Sequence, residues 1–371
     1  MKYRLVIVTV LWLFSACRQE PSPPVVPAAS EEEPTTSNPS VVEPPVASPV
    51  RVPPAEAVPP EVRDDAAPAA RVRQDILDHL AAIGRDDASG QASTTAAVEY
   101  LDLQQLDRQQ TLFPLLEHAD VSIRLGTAFY LLGQFRANDV EAVAAFTRLL
   151  TDADSRVRGI ALQAMSQFER ADIVDTFAEL SRILSNPDEP SATRSAVVRI
   201  ASRLGRDAAP LLPALTSAAK SADDERLRVA CVVAASRVGA AADVIPLLSE
   251  VLTQDASPQV RRAAAQRLAH QGSAAVDAAD SLGQAMEDDD VAVVQAAGET
   301  LAEFGGAAVP ILMARLESTK APTRRMAVFV LGQLGSPARP ALPRLRELAD
   351  DPDPQVRQLA ALAVQDIQAA Q

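Results

Sequence analysis

The sequence predicts an all-α architecture of stacked antiparallel helix pairs, and three observations point to it. A five-residue phrase, usually ending in arginine, returns from Asp120 onward at spacings of 31 to 36 residues, a near-constant period of the size that marks a solenoid. Aromatic residues make up only 4% of a chain that is 47% hydrophobic, so its core must be built from Ala, Leu and Val, which suits close helix packing better than strands. Gly205, Gly239, Gly272, Gly305 and Gly335 close Ala-rich runs, and Pro258, Pro322 and Pro354 open them, the asymmetry expected of helix ends.

The chain begins with Lys2 and Arg4 ahead of an uncharged apolar run, Leu5 to Phe14, too short to span a bilayer and suited to an export signal. Leu13-Phe14-Ser15-Ala16-Cys17 places small residues before a cysteine and resembles the lipobox of bacterial lipoproteins. The resemblance implies that Cys17 becomes the acylated first residue of the mature chain. Phe14 departs from it, standing where that family usually has an aliphatic residue, and an ordinary signal peptide cleaved near Ala16 is the alternative. Arg18 follows the cysteine in place of Asp, which is similar to the sorting pattern of outer-membrane lipoproteins and implies a chain facing the periplasm.

From Arg18 to Ala70 the composition changes: 14 of the 28 prolines lie between Pro21 and Pro68, among acids that give the segment a net charge of −6. Such a segment buries too little to fold and reads as a disordered spacer, with a proline-motif docking site as the alternative. The expected organisation is a signal peptide and lipobox at 1–17, a disordered Pro/Glu-rich linker at 18–70 and a repeat solenoid at 71–371.

Aligned on the phrase, the copies end at Arg124, Arg158, Arg194, Arg228, Arg261, Val294, Arg325 and Arg357. Four residues earlier stand Asp120, Asp154, Asp224, Ser257, Asp290 and Asp353 in six of the eight copies, oxygens suited to capping the first helix. Short turns follow the glycines, and Pro210, Pro310 and Pro340 are expected to open second helices. Residues 71–118 add a helix and a degenerate opening unit, and the polar last helix, with Gln358, Gln365, Asp366 and Gln368, suits a capping element.

Asp353, Val356 and Arg357, with the turns Leu204-Gly205 and Leu334-Gly335, resemble the HEAT family in its short variety related to phycobilisome-lyase repeats. That resemblance implies a right-handed α-solenoid of about eight helix-pair repeats over residues 100–371. It departs at Val294, at Met165-Ser166, where the turn glycine is absent, and at Arg324-Arg325, where the register is open by one residue. It also implies that the arginines pair with acids of neighbouring units, and Asp152, Asp188, Asp255, Asp288 and Asp351 lie six residues before the aligned positions. The expected structural ladder is Arg124, Arg158, Arg194, Arg228, Arg261, Arg325 and Arg357, with Asp120, Asp154, Asp224 and Asp353 at the heads of their helices. An anion-binding file of guanidinium groups is the alternative.

A formal charge of −14 lacks the basic footprint of nucleic-acid binding. His79, His118 and His270 stand alone, without the His-Glu pairs that recur in the di-iron hydroxylases built from this repeat, so neither metal nor cofactor is expected. Cys231 lies in an apolar helix as a small core residue. Neither a phosphate loop nor a nucleophile elbow occurs. Eight of the ten aromatic residues beyond the signal precede residue 178, which reads as bulkier packing or as a binding patch. The expected function is a non-enzymatic protein–protein interaction scaffold, lipid-anchored in the bacterial envelope. Its concave second-helix face, near Arg315, Arg344, Arg346 and Glu347, would meet another protein. A lyase-like cofactor-attachment factor and a purely architectural spacer are the alternatives.

Overall fold

A computed structural model describes residues 66–85, 90–135, 139–169 and 173–370; the expected export signal, Cys17 and the proline-rich stretch to residue 65 lie outside the described residues. The chain divides after His79 into two compact units, the first contributing to the described residues only the opening of α1 (Ala66–Gly84). That helix starts inside the stretch whose proline content suggests linker. Pro68 stands in its first turn, where a missing N–H forfeits no helical hydrogen bond.

The second unit, Leu80–Gln371, is an α-solenoid. It opens with α2 (Gly90–Leu103), a π-turn at Arg108–Leu112 and a 3₁₀ turn at Phe113–Glu117. Seven antiparallel pairs follow. They are α3 (Val121–Leu132) with α4 (Val140–Leu149), α5 (Ser155–Met165) with α6 (Phe177–Ser185), α7 (Ser191–Leu204) with α8 (Leu212–Ser221), and α9 (Glu225–Val238) with α10 (Ala241–Gln254). The last three are α11 (Pro258–Ala269) with α12 (Ala279–Ala285), α13 (Val291–Glu303) with α14 (Val309–Arg315), and α15 (Ala321–Leu334) with α16 (Leu342–Glu347). The eighth phrase opens a single helix, α17 (Pro354–Ala369), so the described chain holds seven pairs and one first helix. No strand occurs among the described residues.

Local chemistry sets the ends of the helices. Asp120, Asp154, Asp224, Ser257, Asp290 and Asp353 each accept a backbone N–H from the first turn of the following helix, while Pro190 and Lys320 precede α7 and α15 without a side-chain cap. Pro258, Pro322 and Pro354 occupy first turns. Gly205, Gly272, Gly305 and Gly335 have φ between +57° and +64°, and at Gly205 and Gly335 ψ lies near −130°, a backbone that costs any other residue about 1–3 kcal/mol. Pro310 opens α14 as expected. Pro210 and Pro340 fall instead in 3₁₀ turns, and Pro213 and Pro343 take the first turns of α8 and α16.

Successive first helices pack on one another, and each second helix packs mainly on the first helix of the following unit. Small residues permit this: α11 buries Val260, Ala263, Ala264, Ala265 and Leu268. The closest approach is at Gly126 of α3, where a Cβ would lie 1.8 Å from the Leu80 carbonyl oxygen. Of the eight early aromatic residues, Tyr130, Phe146, Phe168 and Phe177 are buried and the other four half-buried. Phe146 and Phe168 are fully buried, and the ring of Phe135 lies 5.4 and 4.8 Å from theirs.

Candidate functional site

The recurring arginine sits in the first turns of each first helix, and Arg124 displays its role. Nε and Nη2 donate to Asp152 Oδ2 and Oδ1 at 2.8 and 2.9 Å, while Nη1 donates to the carbonyls of His118 and Ala119 before its own helix. Arg228 grips Asp255, Arg261 grips Asp288 and Arg324 grips Asp351 in the same two-pronged way, at 2.7–3.0 Å. The fork matches the geometry of a carboxylate, so both bonds form without strain. Each acid also accepts the N–H two residues on, from Asp154, Ser257, Asp290 and Asp353. One carboxylate therefore shapes the loop before its own helix and holds the arginine of the preceding unit.

These side chains are largely dry, with the arginines 10–16% and the acids 4–11% exposed. Donating hydrogen bonds to the acid raises the pKa of each guanidinium group, against desolvation. The Arg324 hydrogen bond holds Asp351 below the usual carboxylate range. At Asp288 burial acts upward most strongly, but the Arg261 hydrogen bond, the Asp290 N–H and nearby positive charge together outweigh it and lower the pKa.

The ladder departs from expectation at several rungs. Arg158 is bound by Glu189, whose side chain is 1% exposed, and not by Asp188. The turn at Asn186, which accepts the Asp188 and Glu189 N–H groups, leaves Asp188 exposed and turns Glu189 inward. Arg194 has no acid, because Ala222 stands where one is needed; its Nε donates to the Leu184 carbonyl, and Ser191 bonds Asp224 instead. In the seventh copy the rung is Arg324 and not Arg325: α15 starts after Lys320, so the fourth helical residue is Arg324, and Arg325 reaches Gln355. Val294 offers no fork, and Lys320 bridges to the Glu287 carbonyl and to Asp289. Arg357 donates Nη1 to the Asp351 and Pro352 carbonyls. Asp120, Asp154, Asp224 and Asp353 act as helix caps beside the ladder, and the acids of the rungs are a separate set.

The second helices carry a different set of ion pairs: Glu117–Arg148, Lys220–Glu250, Glu287–Arg315 and Glu317–Arg344, at 2.5–3.4 Å. All are substantially wet, with side chains 30–70% exposed. Sequence reading missed them, although partners separated by nearly one repeat length are the signal that would have found them. Arg344 also pairs with Glu347, Arg346 is exposed, and Arg315 lies against Gly283. Between these charges α6, α8 and α10 show small polar side chains, among them Ser185, Ser217 and Ser221. This face can meet a partner through exposed backbone-hugging surface and exchangeable charge pairs.

Reactive groups are tied up elsewhere. Cys231 is fully buried and burial pushes its thiol up to about 12, which leaves no thiolate to react. His118 Nδ1 accepts the Asp120 N–H, and His270 Nδ1 lies 2.7 Å from the Gln266 carbonyl oxygen. Among the described residues no group of three or more His, Cys, Asp or Glu side chains could hold a metal ion.

A model of HEAT repeats matches residues 245–327 and 309–371. No curated protein matches the sequence. Among solved structures, the YibA protein of Escherichia coli is 19% identical at a TM-score of 0.41, covering 73% of this chain and 96% of its own. A mutant of Kap121p is 14% identical at 0.47, covering 83% of this chain and 38% of its own. Human deoxyhypusine hydroxylase is 18% identical at 0.30, covering 75% of this chain and 99% of its own. The repeats matched from residue 245 onward share their capped first helix and arginine fork with units reaching back to Asp120, and the chain is a HEAT-like repeat protein.

Proposed function

We propose that this chain is a non-enzymatic scaffold that binds another protein along its second-helix face, held by a lipid on Cys17 to the bacterial envelope, in the outer membrane facing the periplasm. The match to HEAT repeats carries the reading, because stacked helix pairs offer a long surface and little dedicated chemistry. The domain plan behind it is a lipobox-terminated signal at 1–17, a spacer at 18–70 and the solenoid at 71–371. No helix among the described residues is long and apolar enough to cross a membrane. The lipobox-like run ending at Cys17 supports attachment through acyl chains.

Crosslinking in cells, followed by detergent extraction and mass spectrometry, tests the scaffold. A specific partner should be captured by the full chain and lost on charge reversal at Arg346 and Lys220. Recovery of lipoprotein-processing factors alone overturns it. Palmitate labelling that survives Cys17→Ala overturns the anchor.

A further inference from the structure

On the first helices, the residues one, five and nine places after the aligned position share one stripe, being four apart along each helix. In α7 the stripe reads Ser195, Arg199 and Arg203; in α9 it reads Val229, Val233 and Arg237; in α11 it reads Arg262, Gln266 and His270; in α13 it turns acidic at Glu299 and Glu303. Arg199, Arg203, Arg237 and Arg262 are exposed, and Arg267 is half-buried beside them. Among the described residues, no carboxylate forms an ion pair with any of these five, in a chain of net charge −14.

The arginines stand on three successive first helices that pack against one another. Arg203 reaches the Met165 carbonyl of the preceding first helix at 3.1 Å. Burial, and then the charge of Arg237, lower the pKa of Arg267, the mark of like charges held together without a counterion. Favourable placement at helix C-termini accounts for Arg203, Arg237 and Arg267 in last turns. It does not account for Arg199 and Arg262, which stand in helix interiors.

We propose that α7, α9 and α11 form a docking surface for a short acidic, extended segment of a partner polypeptide. Packed helices lie about 10 Å apart, and an extended chain advances about 3.3 Å per residue. Carboxylates at every third residue therefore meet Arg203, Arg237 and Arg267 in turn. The ladder uses the same fork-to-carboxylate bond within this molecule. Glu299 and Glu303 bound the patch and repel a longer polyanion or an anionic membrane plane, which confines the occupant to a few residues. The surface lies on first helices, so it stands or falls separately from the second-helix reading.

The test uses the full chain and a fluorescein-labelled serine peptide with glutamate at every third position, long enough for three carboxylates, read by fluorescence anisotropy. Saturable binding is expected, weakened about tenfold in R237Q/R267Q and by added salt, and unchanged in R346Q on α16. Circular dichroism verifies folding. Should R237Q/R267Q fail to fold, R199Q/R262Q, both at exposed positions, should weaken binding about threefold. Absence of saturable binding, or affinity unchanged in a folded variant, overturns the proposal. So does tighter binding of phosphatidylglycerol vesicles than of peptide through the same arginines, which would make the patch a membrane contact.

Discussion

Two interfaces between first helices differ in their polar links. Where α17 meets α15, Arg324 grips Asp351 with both prongs of its fork. Where α9 meets α7, Arg194 holds the same register but faces Ala222, and the polar link is the Ser191 hydroxyl on Asp224. Both interfaces bury aliphatic side chains completely: Val328 and Leu331 in one, Val197, Ala201, Val232 and Ala235 in the other. The helices stack in both cases, so apolar burial drives stacking and the rung positions the loops. The gaps also share a rule. At α7 the acid is missing while the arginine finds a carbonyl, and at α13 both are missing, with Val294 and Ser318 in their places. Neither gap leaves a buried carboxylate without its cation, which is the costly half of such a pair.

The largest effect therefore comes from creating the state that the gaps avoid. Arg324→Ala strands Asp351, whose side chain is 4% exposed, and should cost about 3–5 kcal/mol in urea unfolding. The double variant R324M/D351L should recover most of that loss; failure to recover would mean that the rung itself, and not the stranded charge, holds the interface. Acid should act on the same rungs. Asp288 and Asp351 have depressed pKa values when folded, so their contribution is complete above the unfolded value of about 3.9 and is lost as pH falls through the folded one. Thermal midpoints measured from pH 5 down to pH 2 should fall, and Asp351→Asn should make the slope shallower. An identical slope would place the acid sensitivity elsewhere.

The repeat was legible because its signals are local. A cap oxygen four residues before an arginine and a glycine at a left-handed turn act over one or two turns of helix, and they recur. What was not legible depends on a shift of one residue across a loop. Glu189 replaces Asp188 because the turn at Asn186 rotates the acid inward by one position, and Arg324 replaces Arg325 because Lys320, which is no cap, sits where the helix starts. The second-helix ion pairs depend on which side chains face each other across units, and helix periodicity within one unit does not report that.

Completing the gap sharpens the comparison from the other side. Ala222 has φ −68° and ψ 134°, close to the −66° and 136° of Asp255, so Ala222→Asp needs no backbone change to meet Arg194. A gain of about 1 kcal/mol is expected, abolished when Arg194 is also replaced; a loss would show that the α7–α9 loop excludes the carboxylate. The smallest effect belongs to the second-helix face. Lys220 and Glu250 are 38% and 42% exposed, and water screens such a pair so well that Lys220→Ala should change stability by no more than about 0.5 kcal/mol. A chain that tolerates this loss while failing at Arg324→Ala separates a buried acid that must keep its cation from second-helix charges that water screens and that are free to exchange partners.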